Sequence, residues 1–194
     1  MTALTLPLAT ERLILRAHRE SDVQRMREIH ATEDVTRFLL DDPWTAQFAA
    51  EKVAERIPRT DLAGETGALA LVIEHGGTAI GLVLIWLTDR ERGVAEIGWV
   101  LDPQFSGQGF GVEAAGTVLN LAFDRYPLHR VVARMDGRNL ASARLAAAIG
   151  MRQEAHLRQD WWSKGEWTDT VIFGVLASDL RERPARPSLH RRAG

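Results

Sequence analysis

The stretch from Val94 to Arg125 changes its period once and carries three closely spaced glycines at the change. Val94 to Leu101 is a run of strand-forming residues that stops at Asp102 and Pro103. From Gly109 to Arg125 the apolar residues recur at helical spacing, with Ala114, Val118, Leu121 and Ala122 on one side, until Tyr126 and Pro127 end the pattern. Gly107, Gly109 and Gly111 mark the change from one to the other. Glycines there permit a tight turn with exposed amides, and the helix that follows offers its positive end, so the loop is suited to a phosphate or pyrophosphate. The same glycines could also serve only a tight strand-to-helix connection.

The rest of the chain supplies strands and helices to either side of this unit. Arg12 to Ala17 reads as a first strand. Ser21 or Asp22 is placed to cap a helix carrying Val23, Met26 and Ile29, and Trp44 to Ile57 repeats the helical pattern before Pro58. Ala68–Glu74 and Thr78–Asp89 predict a hairpin turning at Gly76 and Gly77. Arg130 to Met135 predicts a strand, and Asn139 to Ile149 a helix closed by Gly150. Two more strands, about 152–158 and 170–176, are expected to be separated by the aromatic segment containing Trp161, Trp162 and Trp167. A length of 194 residues fits one domain, residues 1–180, followed by a flexible basic tail at 181–194.

Several separated motifs resemble the GNAT superfamily of N-acetyltransferases. Ser106, Gly109 and Gly111 follow its cofactor-loop spacing, with Ser where the wider family prefers Gln or Arg. The run Thr10 to Arg16, the strand Glu96-Ile97-Gly98-Trp99, the helix entry Asn139-Leu140-Ala141-Ser142 before Gly150-Met151, and Asp169 before a last apolar strand are similar to the Rim-type branch, which includes enzymes acetylating the N-termini of ribosomal proteins. The resemblance spans about residues 10 to 178. It implies an α+β fold: a single domain with a twisted mixed central sheet, helices on both sides, and splayed central strands forming an acyl-CoA cleft. It also implies acetyl-CoA as co-substrate. Backbone groups of Trp99 and Leu101 would pair with the pantetheine arm, amides of Gly107, Gln108, Gly109, Phe110, Gly111 and Val112 would hold the pyrophosphate, and Asn139 would add a hydrogen bond.

Acyl transfer from a thioester to an amine needs a neutral amine, stabilisation of the developing oxyanion and a proton for the departing thiolate. An amide on the central strand near Val100 is the candidate oxyanion donor. Glu96 and Asp160 are rival candidates for the base. Ser142 is the candidate acid by resemblance, although Asn139 or Ser142 could instead serve only as a helix cap. Tyr126 reads as packing and Glu113 as a residue of the first helical turn, favoured there by the helix dipole. Trp161, Trp162 and Trp167 line the acceptor cleft or belong to the core, and Trp44 is a further candidate from the helical region.

Composition narrows the classes. The formal net charge of −2 gives no field for nucleic acid. With no cysteine there is no thiolate nucleophile or disulfide, and the six histidines show no metal-ligand spacing, so no metal is expected. The longest apolar stretch, Ala79 to Leu87, is too short to span a bilayer, and the start of the chain does not read as a secretory signal, so a cytoplasmic monomer or homodimer acting on an amine is expected. Two other readings compete: a non-catalytic acyl-CoA sensor, and a dinucleotide-binding oxidoreductase suggested by the glycines and a strand ending at Asp136.

Overall fold

The computed structural model describes residues 4–181. Its strands are β1 (Leu8–Ala9), β2 (Ile14–Ala17), β3 (Thr60–Asp61), β4 (Ala68–His75), β5 (Thr78–Asp89), β6 (Val94–Leu101), β7 (Arg130–Asp136), β8 (Arg152–Ser163) and β9 (Glu166–Leu176). The α-helices are α1 (Val23–His30), α2 (Glu33–Thr36), α3 (Ala46–Arg56), α4 (Phe110–Arg125), α5 (Leu140–Ala148) and α6 (Ala177–Arg181). The expected tail begins where α6 ends and otherwise lies outside the described residues.

The strands form one sheet in the order β1-β2-β4-β5-β6-β7-β9-β8, with β3 paired to β4. Every neighbouring pair is antiparallel except β6 and β7. That one parallel pair follows from α4, which carries the chain back over the sheet between them. Such a sheet lacks the repeated parallel crossovers of a dinucleotide-binding fold, so the oxidoreductase reading fails at the topology.

Strand alternation divides the core between the two faces. Leu69, Leu71 and Ile73 of β4, Val83 and Ile85 of β5, and Ala95 and Ile97 of β6 pack toward Ala114, Val118 and Leu119 of α4 and Ala146 of α5. Val72 and Leu82 face the other way, onto Met26 and Ile29 of α1, Ala49 and Val53 of α3, and Trp44. Helices therefore cover both faces, as the resemblance implied.

The hairpin at Gly76 and Gly77 forms with φ of 55° and 80° there, values that favour glycine. Two expectations are corrected. Asp22 does not cap α1: its carboxylate takes a two-pronged bond from Arg16, at 2.9 and 2.8 Å, and one from the Arg19 amide at 2.8 Å. A buried guanidinium needs a counter-ion, and Asp22 with Glu74 on the Arg16 Nε at 2.6 Å provides it. The aromatic segment does not separate two strands; it forms the far end of one long β8–β9 hairpin with its tip at Lys164 and Gly165. Finally, the two-residue β1 and four-residue α2 were not expected from the sequence.

Candidate active site

The parallel pairing of β6 with β7 covers only Val94↔Arg130, Ala95↔Val131 and Glu96↔Val132. Beyond Glu96 the strands part: β6 stays with β5 as far as Leu101, while β7 stays with β9 as far as Asp136. Ile97 to Leu101 therefore have no strand partner on the β7 side. The Asp102 amide donates to Ile80 O at 2.8 Å, continuing the β5 ladder. Carried back by antiparallel alternation, this turns the N–H and C=O of Val100 toward β5 and those of Trp99 and Leu101 toward the gap. Of the amides near Val100, then, its own is not the one facing the opening.

The glycine loop follows directly. After a 3₁₀ turn at Pro103–Phe105, Gly107 and Gly109 take φ of 75° and 82°, and Gly109 is the N-cap residue of α4. The first bond of the helix runs from the Glu113 amide to Gly109 O at 3.0 Å, so the amides of Phe110, Gly111 and Val112 have no intrahelical acceptor. Phe110 contributes only backbone here, since its ring is buried under the Arg12 guanidinium, 4.5 Å away, and against His75. Gly111 is helical rather than left-handed. A Cβ there would stand 2.7 Å from Leu145 Cδ1, so this glycine sets the approach of α4 to α5.

The turn between β1 and β2 fastens the loop from outside. Glu113 accepts from Thr10 Oγ1 at 2.5 Å, the Arg12 amide at 2.8 Å and Arg12 Nε at 2.7 Å, while Arg12 Nη1 donates to Gln108 O at 2.9 Å. Burial pushes the Glu113 carboxyl up, but these donors outweigh it and hold the group below its ordinary value.

On the α1/α3 side of the parted strands lies a cleft of about 560 Å³. Glu96, Trp99, Val100, Asn139, Ser142 and Asp160 all line it, together with Trp44 and Trp161. Leu101 and the glycine loop lie beyond its lining, at the end of β6. Trp162 and Trp167 are also outside it; they are exposed and pack edge to face, 5.4 Å apart, on the hairpin. Tyr126 is buried away from the cleft, where it donates to Asp61 Oδ1 at 2.8 Å.

Glu96 is largely covered, and burial raises its pKa against the lowering pull of Arg134, whose Nε is 3.8 Å from the carboxylate. Asp160 is exposed on the hairpin. Asn139 is the N-cap of α5, its Oδ1 accepting from the Ser142 amide at 3.0 Å. The Ser142 hydroxyl is a separate group: it accepts from Trp99 Nε1 at 3.3 Å. Arg134, Trp86, Arg37, Arg56 and His30 also line the cleft and were not singled out from the sequence. Among the described residues, no group of three or more His, Cys, Asp or Glu could hold a metal ion, and no helix is long and apolar enough to cross a membrane.

Known proteins resemble this chain. The chain is 27% identical over 87% of its length to the uncharacterized N-acetyltransferase p20 of Bacillus licheniformis, covering 95% of that protein. It is 34% identical to the probable N-acetyltransferase YjcK of Bacillus subtilis, over 76% of this chain and 81% of that one. Its fold matches RimL, a ribosomal L7/L12 alpha-N-protein acetyltransferase solved in complex with coenzyme A, with a TM-score of 0.78 at 20% identity, covering 89% of this chain and 98% of that one. The model of the acetyltransferase (GNAT) domain matches residues 12–152, which take in the Arg12 anchor, the parted strands, the glycine loop and the capped α5. This chain belongs to the GNAT acetyltransferase family.

Proposed function

We propose that the protein transfers an acyl group, acetyl in the first instance, from acyl-coenzyme A to an amine by direct attack. The observation that supports this most is the parting of β6 from β7 beside a glycine-capped helix end. It leaves the backbone groups of Trp99 and Leu101 free for an amide-bearing arm, and three helix amides free for a phosphate. When bound, the thioester supplies the acyl carbon and a thiolate leaving group. In this reading Gly107 to Val112 hold the pyrophosphate, and Asn139 keeps its amide nitrogen to donate while its oxygen caps α5.

Glu96 is the preferred base. Its burial and raised pKa suit a group that takes a proton from an ammonium near neutral pH, directly or through water. Asp160, on β8, is the rival. The amide of Trp99 or Leu101 is placed to face a developing oxyanion. Ser142 holds a proton at Oγ that it can give to the thiolate, because its oxygen already accepts from Trp99. In the balanced reaction the C–N bond forms, the C–S bond breaks, one amine proton passes to the base and the thiolate gains one.

The protein is read as a cytoplasmic monomer or homodimer acting on a protein N-terminus or a small amine. Incubation with acetyl-CoA and a panel of amines, followed by mass spectrometry, tests the reaction: an acetylated amine is expected. Binding of acetyl-CoA with no product on any amine would instead favour a sensor.

A further inference from the structure

The helical wall of the cleft carries a cation without an ion-pair partner, with one carboxylate, Asp41, also in the lining. Arg56, the last residue of α3, lines the cleft and makes no ion pair or hydrogen bond among the described residues. Its Nη1 is enclosed without a partner. The guanidinium lies over the Trp44 ring, 5.0 Å from its centroid. Trp44 is 3% exposed, and its indole Nε1–H also has no acceptor. Two unsatisfied donors side by side in one wall are unusual, because each costs the desolvation it does not recover.

The surroundings do not neutralise this charge. Asp41 and Glu55 attract Arg56 without pairing with it, while Arg59 repels it; burial, the largest influence, lowers its pKa to about 10. At neutral pH it is still a cation. Its stacked neighbour cannot compensate: the His30 ring lies 3.7 Å from Trp44, and its Nδ1 is occupied by Met26 O at 2.8 Å. Arg37 adds a second cation to the same side of the cleft.

The strand wall carries more carboxylates than cations: Glu96 on β6 and Asp160 on β8 line the cleft there, with Arg134 of β7 3.8 Å from Glu96, and Asp136 on β7 is tied to Arg138 at 2.8 Å. Leu82, Leu84 and Trp86 add apolar surface to the lining. The cleft is thus bipolar, of a size that takes a small molecule.

We infer that the acceptor is a small amine carrying an oxyanion group, a carboxylate or a phosphate, gripped by Arg56, which the Trp44 ring supports, while its nitrogen lies at Glu96. The placement of the nitrogen rests on the reading of Glu96 given above; the grip on the anion does not. An oxyanion in the cleft gives the unpaired guanidinium a counter-ion, and charge-assisted bonds from a guanidinium are the strong kind.

Calorimetry tests the grip without turnover. The protein is titrated, with and without coenzyme A, with two matched pairs: phenylalanine against 2-phenylethylamine, and phosphoethanolamine against ethanolamine. The anionic member of at least one pair should bind about 10-fold or more tightly, and which pair does so separates carboxylate from phosphate. Arg56→Gln should remove the difference, Arg56→Lys should restore part of it, and Trp44→Phe, which leaves a smaller ring against the guanidinium, should reduce it several-fold. Equal binding within both pairs, no saturable binding of either anionic amine, or a difference that survives Arg56→Gln in a folded variant would overturn the inference. Should Arg56→Gln not fold, Trp44→Phe and the wild-type pairs decide. Anion-dependent binding without acetylation would leave the grip standing and sink only the proposed reaction.

Discussion

Trp99 Nε1 donates to Ser142 Oγ at 3.3 Å, across the gap between β6 and α5. The bond occupies one lone pair of the hydroxyl and leaves its proton free. The cap of α5 is a different bond, from the Ser142 amide to Asn139 Oδ1. Ser142→Ala keeps that amide. It should therefore lower kcat by about 10²-fold, with KM little changed. Asn139→Ala should instead cost about 1 kcal/mol of stability. Measuring kcat and Tm on both variants checks the separation; a full-rate Ser142→Ala enzyme removes the hydroxyl from the chemistry.

Glu113 gathers three donors from the turn between β1 and β2, and Arg12 continues the link to Gln108 O. Glu113→Ala removes the shared acceptor of Thr10 Oγ1, the Arg12 amide and Arg12 Nε, leaving Arg12 held to the loop by its bond to Gln108 O alone, and loosens the glycine loop. A loss of roughly 2 kcal/mol is expected, together with weaker acetyl-CoA binding. Calorimetry and thermal melting on one preparation test both; unchanged cofactor affinity would confine Glu113 to stability.

Glu96→Gln should depress the rate most near neutral pH and least at high pH, where the free amine needs less help. In the wild-type enzyme the rate should rise with pH through the raised pKa of Glu96. A pH–rate profile identical in the two enzymes would point to Asp160, for which Asp160→Asn is the next variant.

His18 and His30 are buried, and their pKa values are pushed down to about 3 and about 4. Burial is the main cause for both. Arg56 opposes the protonation of each, Arg16 and His30 add to this at His18, and Asp22 and Met26 O act the other way at His18 and His30 respectively. Unfolded histidines titrate near 6.5, so the folded state binds fewer protons below that pH. Stability is full above about 6.5 and falls as pH drops toward 4, by up to about 1.4 kcal/mol per histidine per unit. Since neither His18 ring nitrogen has a partner, His18→Leu should flatten the fall. Denaturant midpoints at pH 7 and pH 5 measure it; an equal fall in the variant would place the acid sensitivity elsewhere.

The two loop glycines should behave differently. Gly109→Val places a branched residue at a φ of 82° and should weaken coenzyme A binding. Gly111→Val drives a side chain into Leu145 and should lower Tm as well. Equal effects on both measurements would mean that Gly111 has no packing role.

Local signals explain which parts of this structure were legible in the sequence. Val94–Leu101 is a run of strand formers that stops at Asp102 and Pro103, Phe110–Arg125 has helical spacing, and glycines mark the junction, so strand, loop and helix could be placed. The β8–β9 hairpin could not, because shifts of register between Gln153 and Ala155 and between Leu157 and Trp161 break its period, and its tryptophans face outward. Glu96, Asn139, Ser142 and Asp160 were singled out by motif, and the fold gathers them in one cleft. Arg134 and Arg56 were not, since nothing local distinguishes them among 24 lysines and arginines. Their meaning arises only when β7 lies beside β6 and α3 crosses the sheet.

The most direct test is release of free coenzyme A, followed with a thiol reagent, by wild-type protein and Gly109→Val supplied with acetyl-CoA and amines. The expected result is amine-dependent thiol release by the wild type that falls steeply in the variant. Release by neither protein with any amine, or equal release by both, would contradict the assignment of the parted strands and glycine loop as an acyl-transfer site.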